Sequence, residues 1–265
     1  MQIYPHRVGT ALDWLGTGLR LFAKQWSKFL LLFMTLFLGM GMVIALPDFL
    51  LLIISVLSVP MMQMVLFNAA HGTAIRGHFK LSDLIKKIDT PLVWMRFFIA
   101  GLLNTLALYA ITQLTFPSLP LSMEQLNTMT SIELAQYASQ HLSMMSLIPG
   151  FLSISLFLLC TAWVFPLLSW ESMSLLDAYR HSFKASIQNI LPLIFLWILL
   201  VCIMLLMFLF PQYIALYFVR DLSVFYLLMF FAINTISVIL HTCQYASYIG
   251  IFFEPDKTPE ENLDE

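Results

Sequence analysis

Charged side chains are scarce in this sequence. Only 11% of its 265 residues are Asp, Glu, Lys or Arg, whereas 60% are hydrophobic and the mean hydropathy is +0.86. Soluble domains are about 25% charged, so the composition excludes an ordinary soluble protein and predicts that lipid is the solvent. The net charge of -2 conceals a segregation of charge along the chain. We expect no nucleic-acid partner.

Motifs typical of enzymes and metal sites are also missing. The chain has no HExxH, no Gly-rich phosphate loop, no GxSxG and no EF-hand pattern, so we predict neither an enzyme nor a cofactor or metal site. Cys160, Cys202 and Cys243 lie inside apolar stretches, at distances that match no metal-ligand or disulfide framework. We interpret all three as small buried apolar side chains.

Long apolar runs, in contrast, are abundant. About 20 mostly apolar residues cross a bilayer core, and the first run begins only at Phe29, so we expect no cleavable signal peptide. Pro47 and Asp48 predict a tight turn after that run. The predicted fold class is all-α, a polytopic transmembrane helix bundle of about six spans in one membrane domain, residues 1–253. The predicted spans cover residues 29–46, 50–70, 92–116, 147–169, 190–210 and 222–248.

Lys and Arg are concentrated in alternate loops. They surround the first span's start, the link between spans two and three, and the start of span five, whereas loop 117–146 has none and loop 211–221 has only Arg220. Because cytoplasmic loops carry excess Lys and Arg, both termini are predicted to be cytoplasmic. Anionic lipids are the expected partner of that face. The candidate anionic-lipid contacts are Arg20, Lys24, Lys28, Arg76, Lys80, Lys86, Lys87, Arg180 and Lys184.

Two amphipathic segments precede membrane spans. In residues 8–26, and again in residues 173–188, apolar side chains recur at helical spacing opposite charged ones. We predict two interfacial helices on the cytoplasmic face. With a weaker copy at 82–88, they divide the chain into three units, each an interfacial helix followed by a hairpin. The two apolar stripes are Val8, Leu12, Leu15, Leu19, Phe22 and Trp26, and Leu176, Tyr179, Phe183, Ile187 and Ile190.

Two further segments lie outside the spans. In the outer loop, residues 117–146, Thr130 and Glu133 fit a capping box, which predicts a short amphipathic helix on the outer leaflet. That helix could be a lid, a docking surface or a cover for its own bundle. Residues 254–265 are acidic and without apolar periodicity, so we predict a disordered cytoplasmic tail.

Some of these residues resemble a known family. Phe165-Pro166-Leu167-Leu168, Leu176-Asp177-Ala178 and Ser182-Phe183-Lys184-Ala185 resemble uncharacterised proteobacterial multi-pass inner-membrane proteins, similar to the YciC-like proteins and to the membrane domain beside some glycerophosphodiester phosphodiesterases. The stretch 244–252 is similar to that group's aromatic C-terminal signature, with Ile249-Gly250 in place of the usual Arg-Asp pair. The resemblance implies a bacterial inner membrane and this topology. It implies no activity and no catalytic residues.

Polar residues deep in the spans are few. His241 and Asn234 in span six and Asn104 in span three form the candidate intramembrane polar site, because such groups are costly in lipid. For His241 the sequence favours a hydrogen bond between helices over a ligand or proton role, and the asparagines are interpreted as packing. Pro60 and Pro166 predict kinks that free backbone carbonyls. Paired kinks can open a cavity or serve packing alone.

Two classes of function stay open. The sequence favours a non-enzymatic scaffold or accessory subunit of a membrane complex, with a membrane-protein partner and interfacial helices on anionic lipid. The alternative is a carrier or flippase-like protein for a lipid or other apolar molecule, which suits an apolar cavity with few charges. Membrane-embedded lipid chemistry ranks third, because the sequence lacks the acidic or histidine cluster usual for it.

Overall fold

A computed structural model describes residues 1–42, 48–116, 130, 133, 137, 144–214 and 222–253. Within these ranges the regular structure is entirely α-helical, which confirms the predicted all-α class. The helices are α1 (Thr10–Lys24), α2 (Trp26–Met42), α3 (Asp48–Arg76), α4 (Leu81–Leu84), α5 (Pro91–Thr115), α6 (Met144–Thr161), α7 (Val164–Ser169), α8 (Leu175–Gln188), α9 (Ile190–Ile214) and α10 (Leu222–Phe252).

Several of these helices are long and apolar enough to cross a membrane. Four segments of the described chain have the length and the apolar composition of a membrane span. A fifth has them if two helices bent by 88° count as one span. The chain is therefore a helical membrane protein, and the count of six spans stays a prediction. The four segments are Pro91–Thr115, Met145–Ser169, Ile190–Ile214 and Ser223–Phe252, and the bent pair is Thr10–Lys24 with Trp26–Gly39.

The two prolines predicted to kink the spans act differently. Helix α3 runs continuously through Pro60, whereas the fourth predicted span breaks between α6 and α7, just before Pro166. A proline leaves the carbonyl four residues earlier without its helical donor. Helices α3 and α5 approach closely at the carbonyl freed by Pro60, since a β-carbon at Gly101 would lie 2.6 Å from the Val56 oxygen.

One end of the bundle gathers the N-terminal segment, α1, α4 and α8, and we call it the basic end. The backbone N–H of Tyr4 donates to the Ile251 carbonyl (2.9 Å), and that of His6 donates to Asn189 Oδ1 (2.9 Å). The chain start is thereby bonded both to α10 and to the joint between α8 and α9. Phe67 and Trp170, with ring centroids 5.9 Å apart, belong to the aromatic core beneath.

The amphipathic segments form helices close to their predicted bounds. Helix α1 packs against α10, α9 and α3. Helix α8 starts at a side-chain cap, in which Ser174 Oγ accepts from the Asp177 backbone N–H at 3.2 Å. The weaker copy predicted at 82–88 is helical only at residues 82–84, which are the last three residues of the single-turn helix α4.

Candidate functional site

A cavity of about 320 Å³ lies between α3, α5, the α6–α7 break, α9 and α10. This volume is near the lower end of ligand cavities, which run from about 300 to 1,000 Å³. Most of its wall is aliphatic and aromatic. Val59 and Leu158 belong to that wall and are 55% and 40% exposed, so the cavity extends to the lateral surface of the bundle. Its polar lining includes Gln63, Asn104, Trp163, His241, Gln244 and Ser247.

The break between α6 and α7 is bridged by two glutamines. Because Pro166 has no N–H, the Ala162 carbonyl lacks its helical donor. Gln63 Nε2 of α3 donates to this oxygen at 2.8 Å, and Gln244 Nε2 of α10 donates at 2.7 Å. Three chain segments therefore meet at one freed carbonyl in the cavity wall, as is required of a polar backbone group shielded from water.

Helix α8 holds the other side of the break through two serines. Ser182 Oγ donates to the Cys160 carbonyl (2.7 Å) and accepts from the Trp163 backbone N–H (3.3 Å). Ser186 Oγ donates to the Leu159 carbonyl (2.7 Å). Both serines are fully buried. The unwound backbone is thus satisfied by side chains of its neighbours, which fixes the shape of this part of the cavity.

The structure brings two of the three predicted intramembrane polar residues to the cavity. Asn104 and His241 both line it. Asn104 Oδ1 accepts from the Tyr179 hydroxyl at 2.7 Å, which ties α5 to α8. Burial raises the pKa of Tyr179 to about 12, so the phenol stays a neutral donor at ordinary pH.

Asn234 lies elsewhere on α10 and does not belong to the cavity lining. It is 1% exposed; its Nδ2 donates to the Phe230 carbonyl at 2.6 Å, and its Oδ1 has no partner among the described residues. The hydrogen bond of His241 also closes within its own helix, from Nδ1 to the Ser237 carbonyl at 2.7 Å. The bond between helices that the sequence favoured for His241 is not formed by this nitrogen.

Sequence reasoning missed Gln63, Gln244 and Trp163. The signal for the glutamines was present, since Pro166 frees the Ala162 carbonyl and a buried carbonyl needs a donor. Trp163 offered no such signal. It is 1% exposed, and its indole Nε1 has no hydrogen-bond partner in the described part of the chain.

The cysteines differ in their surroundings. Cys243 is buried, Cys160 is half-buried and Cys202 is exposed, all with free thiols. The interpretation of Cys202 as a buried side chain is wrong, because α9 turns that position away from the bundle. Among the described residues, no group of three or more His, Cys, Asp or Glu could hold a metal ion.

At the basic end, all nine candidate anionic-lipid contacts are exposed: Arg20, Lys24, Lys28, Arg76, Lys80, Lys86, Lys87, Arg180 and Lys184. Arg76 forms an ion pair with Asp83. Burial raises the pKa of the Asp83 carboxyl, but the Lys80 backbone N–H and the Arg76 guanidinium outweigh it and hold the pKa below its ordinary value. Eight of these basic residues have no ion pair of the kind that Arg76 forms within the described chain.

The large apolar side chains of α8 face outward. Leu176 is 68% exposed, Phe183 53% and Ile187 54%, whereas the face against the bundle consists of small residues such as Ala178 and Ala185. An exposed apolar face of this kind is normally covered by lipid or protein. Helix α1 differs, because Leu12 is 54% exposed but Trp14 and Leu21 are buried against the bundle.

The described residues of the outer loop form the predicted capping box. Thr130 backbone N–H donates to Glu133 Oε2 at 2.8 Å, and Glu133 N–H donates to Thr130 Oγ1 at 3.3 Å. The Thr130 hydroxyl also donates to Glu133 Oε2 (2.9 Å), and together with the Thr130 backbone N–H it holds the pKa of Glu133 below its ordinary value. The rest of the predicted outer helix, and the predicted tail at 254–265, lie outside the described residues.

Comparisons of this chain with protein-family models, with curated proteins and with solved structures find no match. The resemblance to the YciC-like inner-membrane proteins therefore stays a prediction.

Proposed function

We propose that this protein is a carrier or flippase-like protein that binds a lipid or another apolar molecule in its intramembrane cavity. The observation that carries the proposal is the cavity itself, which has a mostly apolar wall and no Asp, Glu, Lys or Arg among its described lining residues. A site of this composition suits the hydrocarbon of a lipid, because apolar surface is satisfied by apolar contact and no ionic partner is needed. Its lateral edge at Val59 and Leu158 would face the bilayer.

The proposal places the protein in a bacterial inner membrane with both termini in the cytoplasm. The exposed basic residues of the basic end support this orientation, since they would meet anionic lipid headgroups, each contributing about 1 kcal/mol of attraction. The outward apolar face of α8 supports an interfacial position for that helix. The proposed activity consists of ligand binding and conformational change, without catalysis.

A scaffold or accessory subunit is the second candidate. The same exposed apolar face of α8 favours it, since a membrane-protein partner could cover it in place of lipid. The two candidates differ in what stays bound after gentle extraction from the membrane.

The deciding experiment is native mass spectrometry of the full chain after delipidating detergent, with one variant that fills the cavity. Leu108 lines the cavity on α5, whereas Leu103 of the same helix is 46% exposed and does not line it. We expect the wild type and Leu103→Trp to retain lipid and Leu108→Trp to lose most of it. A stoichiometric protein partner without retained lipid would replace the carrier by the scaffold.

A further inference from the structure

The link between α3 and α5, residues 77–90, turns two large aliphatic side chains outward. Leu81 is 82% exposed and Ile85 is 61% exposed, whereas Leu84 between them is buried. Leu81 and Ile85 are four residues apart, so they lie on the same side of the single turn formed by α4. We call this pair the apolar tip. A lone exposed aliphatic residue is ordinary, but two that project together call for a covering surface.

The apolar tip is held outward by hydrogen bonds from inside the bundle. Asn68 is buried, and its Nδ2 donates to the Leu84 carbonyl (3.1 Å) and to the Lys86 carbonyl (2.8 Å). Ser169 Oγ donates to the Lys87 carbonyl (2.7 Å). These bonds fix the backbone of the link, and turning the tip inward would break them. A surface ordered in advance loses little conformational entropy when it binds.

The link lies beside the point where the apolar surface of α5 begins. Trp94 is in the first turn of that helix and exposed, and its Nε1 donates to the Ile88 carbonyl of the link at 2.7 Å. Tryptophan is enriched where a membrane meets water. Since α5 has the length and composition of a span, the link is next to the bilayer surface that α5 would enter. From its first turn onward, α5 carries exposed apolar residues at helical spacing: Leu92, Met95, Ile99, Leu103 and Leu106.

Charge selects the kind of surface that the apolar tip meets. Lys80, Lys86 and Lys87 flank the tip along the chain, and all three are exposed. None of them has an ion pair within the described residues. Asp83 already forms an ion pair, so among the described residues of the link only Asp89 is an acidic side chain without one. Unpaired lysines beside exposed aliphatic side chains fit an anionic lipid surface, where phosphates meet the ammonium groups and hydrocarbon meets the tip.

We infer that the apolar tip inserts into the cytoplasmic leaflet between anionic phospholipids, with Lys80, Lys86 and Lys87 at their phosphates. The inference goes beyond the proposed cavity ligand, because it assigns a lipid-binding surface outside the cavity. It rests only on the proposed position of the basic end at the cytoplasmic face. The bond to Trp94 and the exposed apolar stripe of α5 favour lipid over a protein as the occupant, since both lie where the bilayer would begin.

The test places the fluorophore bimane on the apolar tip of the full chain. Cys160, Cys202 and Cys243 are replaced by Ala, and Leu81→Cys is labelled. The protein is then reconstituted in phosphatidylcholine and phosphatidylglycerol, one of which carries bromine on its acyl chains. We expect brominated lipid to quench the label, with an association constant about five-fold higher for phosphatidylglycerol, the equivalent of one lysine at an anionic surface. Asp89→Cys is the matched control, because this exposed charged position of the same link should stay in water.

A second label position, Ile85→Cys, repeats the measurement on the other residue of the tip and decides if Leu81→Cys fails to fold. Quenching no stronger than in the Asp89→Cys control would overturn the insertion of the tip. Equal quenching by the two lipids would overturn the anionic class.

The lysines are tested in the same assay. In the double variant Lys86→Gln, Lys87→Gln, we expect the preference for phosphatidylglycerol to fall towards one, and a full preference there would overturn their role. A blue-shifted bimane emission without quenching would mean that protein, such as a second copy of this chain, covers the tip. The carrier proposal is tested separately by the lipid retained in Leu108→Trp, so either can fail while the other stands.

Discussion

The two amphipathic helices hold the bundle in different ways. Helix α1 packs by close apolar contact against the continuous helix α10, and Gly18 lies directly against Cys243. Helix α8 instead packs through hydrogen bonds, in which Ser182 and Ser186 satisfy carbonyls of the broken α6–α7 pair. Helix α8 turns Leu176, Phe183 and Ile187 outward, whereas α1 buries Trp14 and Leu21 against the bundle.

The two ways of packing follow from the helices against which α1 and α8 lie. An unbroken helix satisfies its own backbone, so the helix packed on it needs only a complementary shape. A broken helix exposes carbonyls that cost free energy in an apolar surrounding, and its neighbour has to supply donors. The cavity lies beside the interrupted backbone of α6–α7.

The largest effect is expected where the α1 contact is closest. In Gly18→Val, the new side chain would begin 2.5 Å from Cys243 Sγ and 2.7 Å from the Cys243 backbone nitrogen, so α1 must move away from α10. We expect the free energy of unfolding to fall by about 3 kcal/mol. The measurement is equilibrium unfolding of the purified protein in mixed micelles. Gly16→Val is the matched control, since nothing lies within 4 Å of a β-carbon there. Equal losses of stability in both variants would contradict the close contact of Gly18 with Cys243.

A smaller effect is expected on the α8 side. The double variant Ser182→Ala, Ser186→Ala leaves the Cys160 and Leu159 carbonyls without these donors, which should lower the free energy of unfolding by about 2 kcal/mol. Faster hydrogen exchange at the α6–α7 break should accompany the loss. Ser237→Ala is the control, because the Ser237 hydroxyl donates only within its own helix. Hydrogen exchange no faster than in that control would show that the serines do not hold the break.

Gln63 and Gln244 should be energetically coupled, because both donate to the Ala162 carbonyl. Gln63→Leu or Gln244→Leu alone leaves the Ala162 carbonyl with one donor, so each single loss of stability should be small. The double variant removes both donors. We expect it to cost about 1 kcal/mol more than the sum of the single variants. A double-mutant cycle in mixed micelles measures this term, and strict additivity would mean that the two amides do not share one carbonyl.

The smallest effect concerns how the two helices begin. Helix α8 has the Ser174 cap, whereas α1 starts after Gly9 without a side-chain cap. Ser174→Ala should lower the free energy of unfolding by about 0.5 kcal/mol, and Gly9→Ala should change it less. The same unfolding assay compares them. Equal losses of stability in Ser174→Ala and Gly9→Ala would show that the Ser174 cap does not distinguish α8 from α1.

The predicted amphipathic stripe located α8 but not the face by which that helix packs. The periodicity of Leu176, Phe183 and Ile187 marks α8 correctly, yet these side chains point away from the bundle. The contacts are made by Ala178 and its small neighbours, which carry little signal in a hydropathy pattern. In a membrane, small residues allow close approach while large apolar ones are equally satisfied by lipid. A hydropathy pattern therefore could not show which face packs.

What the sequence alone determined is the class of protein and the weak points of its helices. Apolar runs of span length require helices in lipid, and Pro166 requires a donor for the Ala162 carbonyl. Only the tertiary structure decided which residues meet there, because Gln63 and Gln244 lie 99 and 82 residues from Ala162 along the chain. Composition specifies the solvent of a chain, whereas a cavity depends on packing between distant segments.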